Sequence, residues 1–513
     1  MTRPLPDLPA PPNPRPAFIR LFSELAWHLI PPLAYLAVML RYFPYWQMFW
    51  IYFDEGYNLI KALLVLRGYS LYNQIWSDQP PLLTYLLAGL FRVNGPGVYA
   101  SRLLILLFTC LLIWAVVQFM RLAWGPLAAV AAAILLILVP DFILLSASTL
   151  VGQPSLAMAC VALLFLALWH RKGSRLWLVL SAAAMSFSLL IKLYTGFLLP
   201  VFGLGLLIGA YTRQKEKSWW QILQPALIWS LVLTGLTAGL GWLLGGPASL
   251  AQLTQPHLAA SQAVAGMEAD SLLPITFYLR TAWPLLLLGL LAVYPLLKKR
   301  LWLMLYPLAW AVTALLILLN YAPVWSHHAL LITVPAAMLA GGALAETLRQ
   351  GARLLRGLRP TAEGGLLAAG SVLALALLVT LRLPDLQTIA RDYRRFQEED
   401  RFPYELTLQK KIDQYAPETN WMVTDMPMFA FRAGISVPPN LAVISGKRFL
   451  AGDLSEADIL TTVQQTRPEQ VLIGRFEFPA LEAYLQQDYK LVLARDDTTK
   501  LYIRQDLLAE ETP

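Results

Sequence analysis

Charge is scarce in this sequence. Of 513 residues, 14% are Asp, Glu, Lys or Arg and 57% are hydrophobic, whereas a water-soluble domain carries about 25% charged residues. Most of the surface therefore cannot face water, and lipid must solvate much of it. Cysteine is scarcer still. Cys110 and Cys160 are the only two, and each lies inside an apolar run, which argues against a disulfide framework and a thiolate metal site. No Gly-rich nucleotide loop, Walker-type motif or Ser hydrolase elbow occurs. The net charge of +8 sits in short clusters between apolar runs and not along one face, so it marks topology and not a nucleic-acid partner. No small-residue cleavage site follows the first apolar run, so the first helix is expected to be retained behind the Pro-rich, basic residues 1–20.

What is present is a series of apolar runs long enough to span a bilayer, which takes about 20 residues and sometimes as few as about 17. They cover 24–43, 99–120, 126–140, 150–169, 175–191, 194–211, 220–245, 276–297, 301–319, 327–347 and 364–382, eleven in all. Alternate loops hold Arg121, then Arg171, Lys172 and Arg175, then Arg213, Lys215 and Lys217. Lys298, Lys299 and Arg300 follow, and lastly Arg349, Arg353, Arg356 and Arg359. Loops 141–149, 246–275 and 320–326 contain no Lys or Arg. The positive-inside rule then puts the N-terminus in the cytoplasm and these bare loops outside.

The longest outer loop, 44–98, contains FDEGYNLIKALLVLRG and SDQPPLLTYLLAGLFRVNG. Both have helical apolar spacing but starts too polar to span, so they are expected to lie as amphipathic helices on the membrane surface. From residue 385 the charge rises and apolar runs shorten to strand length, as in NWMVTD, EQVLIG and YKLVLARD, alternating with the helical SEADILTTVQQ. The expected fold is a mainly α polytopic membrane protein of about eleven helices over 1–384, followed by a small extracytoplasmic α/β domain over 385–513.

The polar groups outside the basic clusters gather on the outer side. Asp54 and Glu55 follow the aromatic stretch YFPYWQMFWIYF, where an adjacent carboxylate pair is costly unless solvated, paired or used. They are candidates for chemistry or, more simply, solvated acids at a helix start. Lys192 is a single cation in SLLIKLYTGF, placed to neutralise a phosphate at headgroup depth or merely to snorkel. His327 and His328 open a helix in APVWSHHALL; further metal ligands are lacking, so no metal or other cofactor is expected. Asp78 and Gln79 precede Pro80-Pro81, where Asp78 could be a plain N-cap. Arg102, inside its helix, is expected either to pair with Asp54, Glu55 or Asp141 or to snorkel. Asp141 could cap the turn after Pro140, and Gln153 could simply begin the next helix.

In this order the pieces resemble the GT-C membrane glycosyltransferases, in the branch of protein O-mannosyltransferases and lipid A aminoarabinose transferases. The matching residues are Asp54-Glu55, Gln79-Pro80-Pro81-Leu82, Ala100-Ser101-Arg102, Lys192 in LLIKLYTGFLLP and the segment HHALLITVPAAMLAG. The resemblance implies inverting transfer of a monosaccharide from a polyprenyl-phosphate donor to a protein, lipid or glycan acceptor, at a bacterial inner membrane. Asp54 would be the catalytic carboxylate and Glu55 its positioning partner. Lys192, His328, Gln79, Tyr194 and Arg102 would bind the donor phosphate or sugar, with Tyr57, Asp78, Asp141, Gln153 and His327 in support. An aliphatic groove would take the polyprenyl tail. Gln79 stands where the family often has Lys or His, and Gln153 where it often has an acid, which weakens the case for a metal. A transporter or flippase would instead place polar groups near the bilayer midplane, often in repeated halves. A non-catalytic scaffold would leave the carboxylate pair without a role.

Overall fold

The computed structural model describes residues 17–43, 48–213, 218–265, 273–320, 324–358, 361–395, 403–495 and 498–509. Residues 1–16 of the Pro-rich start, and Lys215, Lys217 and Arg359 of the basic clusters, lie outside them. The chain opens with α1 (Ala17–Tyr42), α2 (Glu55–Leu66), α3 (Leu82–Asn94), α4 (Val98–Ala123), α5 (Pro126–Ile137) and α6 (Pro140–Leu145). It continues through α7 (Gly152–Lys172), α8 (Arg175–Ile191), α9 (Leu199–Arg213), α10 (Trp219–Gly245) and α11 (Ala248–Ala265). Then come α12 (Leu273–Leu291), α13 (Val293–Lys298), α14 (Leu305–Asn320), α15 (Leu330–Leu355) and α16 (Ala362–Arg395). Every apolar run is thus helical. Among the described residues eight helical segments are long and apolar enough to cross a membrane, and three more of the expected spans, at 126–137, 175–191 and 282–298, are apolar but shorter.

Local sequence sets how these helices pair. Helix α7 stops at Gly173, whose φ of 75° suits the left-handed conformation. Ser174 then caps α8 by accepting from the Leu176 N–H. This tight hairpin returns α8 along α7, so the start of α7 and the end of α8, at Lys192, share one end of the bundle. Helices α5 and α15 approach closely because Gly341 has no side chain: a Cβ there would lie 2.7 Å from the Ala128 carbonyl and the Ala132 nitrogen. Small residues that admit such contact are what binds helices in lipid. At the other end of the bundle Glu346 takes Lys299, Arg349 and the Trp124 indole N–H, and Arg171 donates to the Leu122 carbonyl.

The remainder comprises α17 (Pro403–Tyr415), β1 (Met422–Thr424), α18 (Pro427–Arg432), α19 (Gly446–Leu450), α20 (Glu456–Thr466), β2 (Gln470–Ile473), α21 (Pro479–Asp488), β3 (Tyr489–Arg495), β4 (Thr499–Arg504) and α22 (Gln505–Ala509). The sheet runs β1-β2-β4-β3, with β1 parallel to β2 and the other pairs antiparallel. NWMVTD, EQVLIG and YKLVLARD supply β1, β2 and β3 as expected, while β4 comes from the TKLYIR run that was not singled out. Helix α16 runs unbroken through Pro384 to Arg395, so the change of composition at 384/385 falls inside a helix.

The C-terminal region does not stand apart. Phe429, Phe431 and Met422 share one core with Phe49, Leu59, Leu63 and Phe91 of the first loop. Ten of the twelve residues of α2 are buried, because the C-terminal region packs over it. The seam is narrow. A Cβ on Gly56 would lie 2.7 Å from the Met428 backbone nitrogen, an atom that cannot swing aside. Gly56→Ala is therefore expected to lower stability by about 1–3 kcal/mol through overpacking, read as a lower midpoint of thermal unfolding; an unchanged midpoint would contradict the seam.

Candidate active site

Asp54 and Glu55 are neighbours in sequence and opposites in environment. Glu55 is 0% exposed. Its Oε1 accepts from Arg102 Nε (3.0 Å) and the Thr149 N–H (2.9 Å), and its Oε2 from Arg102 Nη2 (2.8 Å) and the Ile51 N–H (2.8 Å). Burial opposes its ionisation, yet the Arg102 charge and these hydrogen bonds hold its carboxyl below the usual range. Arg102, 2% exposed, also donates to the Met48 carbonyl (2.8 Å). The guanidinium thus holds Glu55 and the Met48 carbonyl together. Of the three partners open to Arg102 in sequence, Glu55 is the one it takes.

Asp54 is half-buried, precedes α2 without making a cap bond, and among the described residues has no side-chain hydrogen bond or ion pair. Burial raises its pKa above the ordinary value, with Asp78 adding to the rise and Arg475, Lys192 and Lys61 opposing it. The three cations come from three separate parts of the chain. Lys61, 2% exposed, lies two turns along α2 and donates to Ser77 Oγ at 3.3 Å. Arg475, between β2 and α21, sits 4.2 Å over the Phe53 ring and donates to Tyr57 Oη at 3.0 Å. Lys192, the residue after α8, lies 4.4 Å over the Tyr194 ring and 3.4 Å from His327 Nε2. An ammonium only donates, so His327 Nε2 accepts and its Nδ1–H faces Tyr52 Oη at 3.2 Å. His328 packs against Tyr194 and accepts from the Trp325 N–H through Nδ1, leaving Nε2 to carry the ring proton.

The other sequence candidates divide. Tyr194 holds the start of α7, donating to the Gly152 carbonyl at 3.0 Å, and Tyr57 donates to the Ile444 carbonyl. Asp78 caps nothing: Pro81 is the residue before α3, and Asp78 Oδ2 instead meets Lys447 Nζ at 2.7 Å. Burial opposes its charge, but Lys447, His257 and Lys61 outweigh this and hold it well below the carboxylate range. The Gln79 carbonyl is fixed by Tyr72 Oη (2.7 Å) and Ser77 Oγ (3.1 Å), while its side-chain amide has no hydrogen bond among the described residues. Gln153 is 1% exposed, its Nε2 on the Phe142 carbonyl at 3.4 Å and its Oε1 without a hydrogen bond among the described residues. Asp141 neighbours Arg382 and Asp385 and stands outside the cluster. Four members were not anticipated: Lys61, His257, Lys447 and Arg475. Of these Lys61 carried a signal, seven residues after Asp54 and so on the same helix face.

Among the described residues no three His, Cys, Asp or Glu side chains come together as metal ligands. An apolar cavity of about 410 Å³ lies between α1, α4 and α5, lined by Trp27, Ile30, Val38, Ile113, Val130 and Ile134 among others; none of the site side chains borders it.

The family model described as dolichyl-phosphate-mannose-protein mannosyltransferase matches residues 78–240. No curated protein sequence matches the chain. ArnT from Cupriavidus metallidurans, solved bound to undecaprenyl phosphate, has a similar fold, with a TM-score of 0.55, 16% identity and coverage of 95% of this chain and 98% of ArnT. The oligosaccharyltransferase AglB from Archaeoglobus fulgidus, solved with an inhibitory peptide and a dolichol-phosphate, gives a TM-score of 0.50 and 13% identity, over 89% of this chain and 70% of AglB. The chain thus shares the fold of ArnT, and within that fold residues 78–240 carry the pattern of the dolichyl-phosphate-mannose-protein mannosyltransferase family model.

Proposed function

We propose that the protein transfers a monosaccharide, with inversion, from a polyprenyl-phosphate carrier to a protein, lipid or glycan acceptor on the outer side of the inner membrane. One observation carries this reading. Asp54 has no ion pair, and Lys61, Lys192 and Arg475 around it have no carboxylate within 4.0 Å among the described residues. Cations left unpaired at a membrane boundary are costly unless an anion visits them. A free carboxylate beside them is what a hydroxyl nucleophile needs. The relatives solved with lipid phosphates support the same class of donor. In this reading residues 1–384 are the transferase membrane region, 385–513 an extracytoplasmic domain, and the N-terminus is cytoplasmic.

The acceptor hydroxyl hydrogen-bonds to Asp54 and gives up its proton as its oxygen attacks the anomeric carbon. The bond from that carbon to the phosphate oxygen breaks, and its electron pair leaves on the polyprenyl phosphate. Lys192 stabilises the resulting charge, so no general acid is required. His328, packed against Tyr194, adds a contact on the same side of the donor. Glu55 does not exchange protons; it fixes the Ile51 N–H just before Asp54 and ties it to the Thr149 N–H.

Offered the same labelled sugar on a polyprenyl phosphate or on a nucleotide, the purified chain in lipid vesicles should label acceptors from the lipid donor alone. Transfer from the nucleotide alone would overturn the reading. The pH profile follows from Asp54. It acts ionised, and burial raises its pKa, so kcat/KM should fall with decreasing pH along a limb lying above the ordinary aspartate value of about 4. A limb at or below that value would contradict the assignment.

A further inference from the structure

We infer that Lys447, carried by the C-terminal region, is a ligand of the donor phosphate and is held by Asp78 until that phosphate arrives. The inference rests on the proposed function and adds a residue that neither the membrane helices nor the first loop supply. Lys447 is the second residue of α19, a short helix whose start is capped by Ser445. Its neighbour Arg448 sets the aim: the guanidinium donates to the Asn440 and Val443 carbonyls at 2.8 and 2.9 Å and lies 4.8 Å over the Trp76 ring. That contact presses α19 onto the 76–79 segment. Lys447 Nζ consequently reaches Asp78 Oδ2 at 2.7 Å and His257 Nδ1 at 2.8 Å.

A simple tether between three chain segments would need one cation and one carboxylate. The charges around Lys447 exceed that. Asp78 is shared electrostatically between Lys447 and Lys61, and Lys61 has no carboxylate within 4.0 Å among the described residues. Lys447 Nζ lies 2.8 Å from His257 Nδ1, and Lys192, 3.4 Å from His327 Nε2, adds its charge to the field at His257, whose proton burial and these cations loosen. Cations gathered in one region repel unless an anion lies among them. A phosphate bridging Lys192 and Lys447 would balance the cluster, and Asp78 would be the carboxylate it displaces.

The test is binding of undecaprenyl phosphate to the full chain in nanodiscs of zwitterionic lipid, with undecaprenol as the uncharged control. Lys447→Ala should weaken undecaprenyl phosphate binding by about tenfold or more, as loss of a charge-assisted contact does, and leave undecaprenol binding unchanged. Lys447→Arg should keep most of the affinity. Asp78→Asn separates the two roles, since it breaks the tether but frees the ligand: binding should hold or tighten. Wild-type affinity in Lys447→Ala, or equal weakening in Asp78→Asn and Lys447→Ala, would overturn the inference and leave the proposed function standing. A wild-type chain that binds undecaprenol as well as undecaprenyl phosphate would remove both.

Discussion

Asp54→Asn should lower the turnover of sugar transfer by about 10²–10⁴-fold, the usual contribution of a positioned general base, while leaving donor binding within about threefold of wild type. The asymmetry is the point. Asn is nearly isosteric, and among the described residues Asp54 carries no side-chain hydrogen bond or ion pair that its replacement would break, so folding and donor contacts should survive. What disappears is the acceptor for the proton of the attacking hydroxyl. Removing one negative charge from among Arg475, Lys192 and Lys61 should, if anything, favour the anionic donor. Turnover is the quantity to measure, at saturating donor, alongside equilibrium binding of undecaprenyl phosphate. Loss of binding with turnover retained would make Asp54 a structural residue.

Glu55→Gln should destabilise the fold by about 3–5 kcal/mol, as removal of one partner from a buried ion pair does. The cost is not confined to Arg102. Four donors converge on this carboxylate, from Arg102, Ile51 and Thr149, and the amide of Gln would present a donor to donors. Ile51 lies just before Asp54, so its release should also loosen the segment that aims Asp54 and reduce transfer. The double change Glu55→Gln with Arg102→Met should recover part of the loss, because no buried charge is then left alone. Thermal unfolding of the three variants in one detergent decides this. Equal midpoints for Glu55→Gln and wild type would mean the pair is not structural.

How much of this was legible follows from where the signals lie. Helices in lipid satisfy their backbones internally and show as continuous apolar runs, so the membrane segments could be read directly. Lys192 was visible for the same reason, as a charge where charge is rare. Other features depended on what packs from afar. FDEGYNLIKALLVL has the spacing of a surface helix, and Phe429 and Met428, far along the chain, cover it. Asp78 before Pro80-Pro81 reads as a cap, and its partner Lys447 is 369 residues away. Arg475 was hidden in the same way: Asp425, which follows β1, accepts from the Gly474, Arg475 and Phe476 N–H groups, and this fixes the turn that carries Arg475. Apart from the family resemblance, nothing in the residues separated Glu55 from Asp54, since adjacent residues on a helix point to different faces and only the packing says which face is dry.

The most direct measurement is transfer of labelled sugar from a set of polyprenyl-phosphate monosaccharides to endogenous membrane acceptors, with wild-type and Asp54→Asn chains in matched membranes. The account predicts label in the acceptor fraction with the wild-type chain from at least one donor, and none above background with Asp54→Asn. Equal labelling by the two chains, or no transfer from any donor by a wild-type chain that binds them, would contradict it.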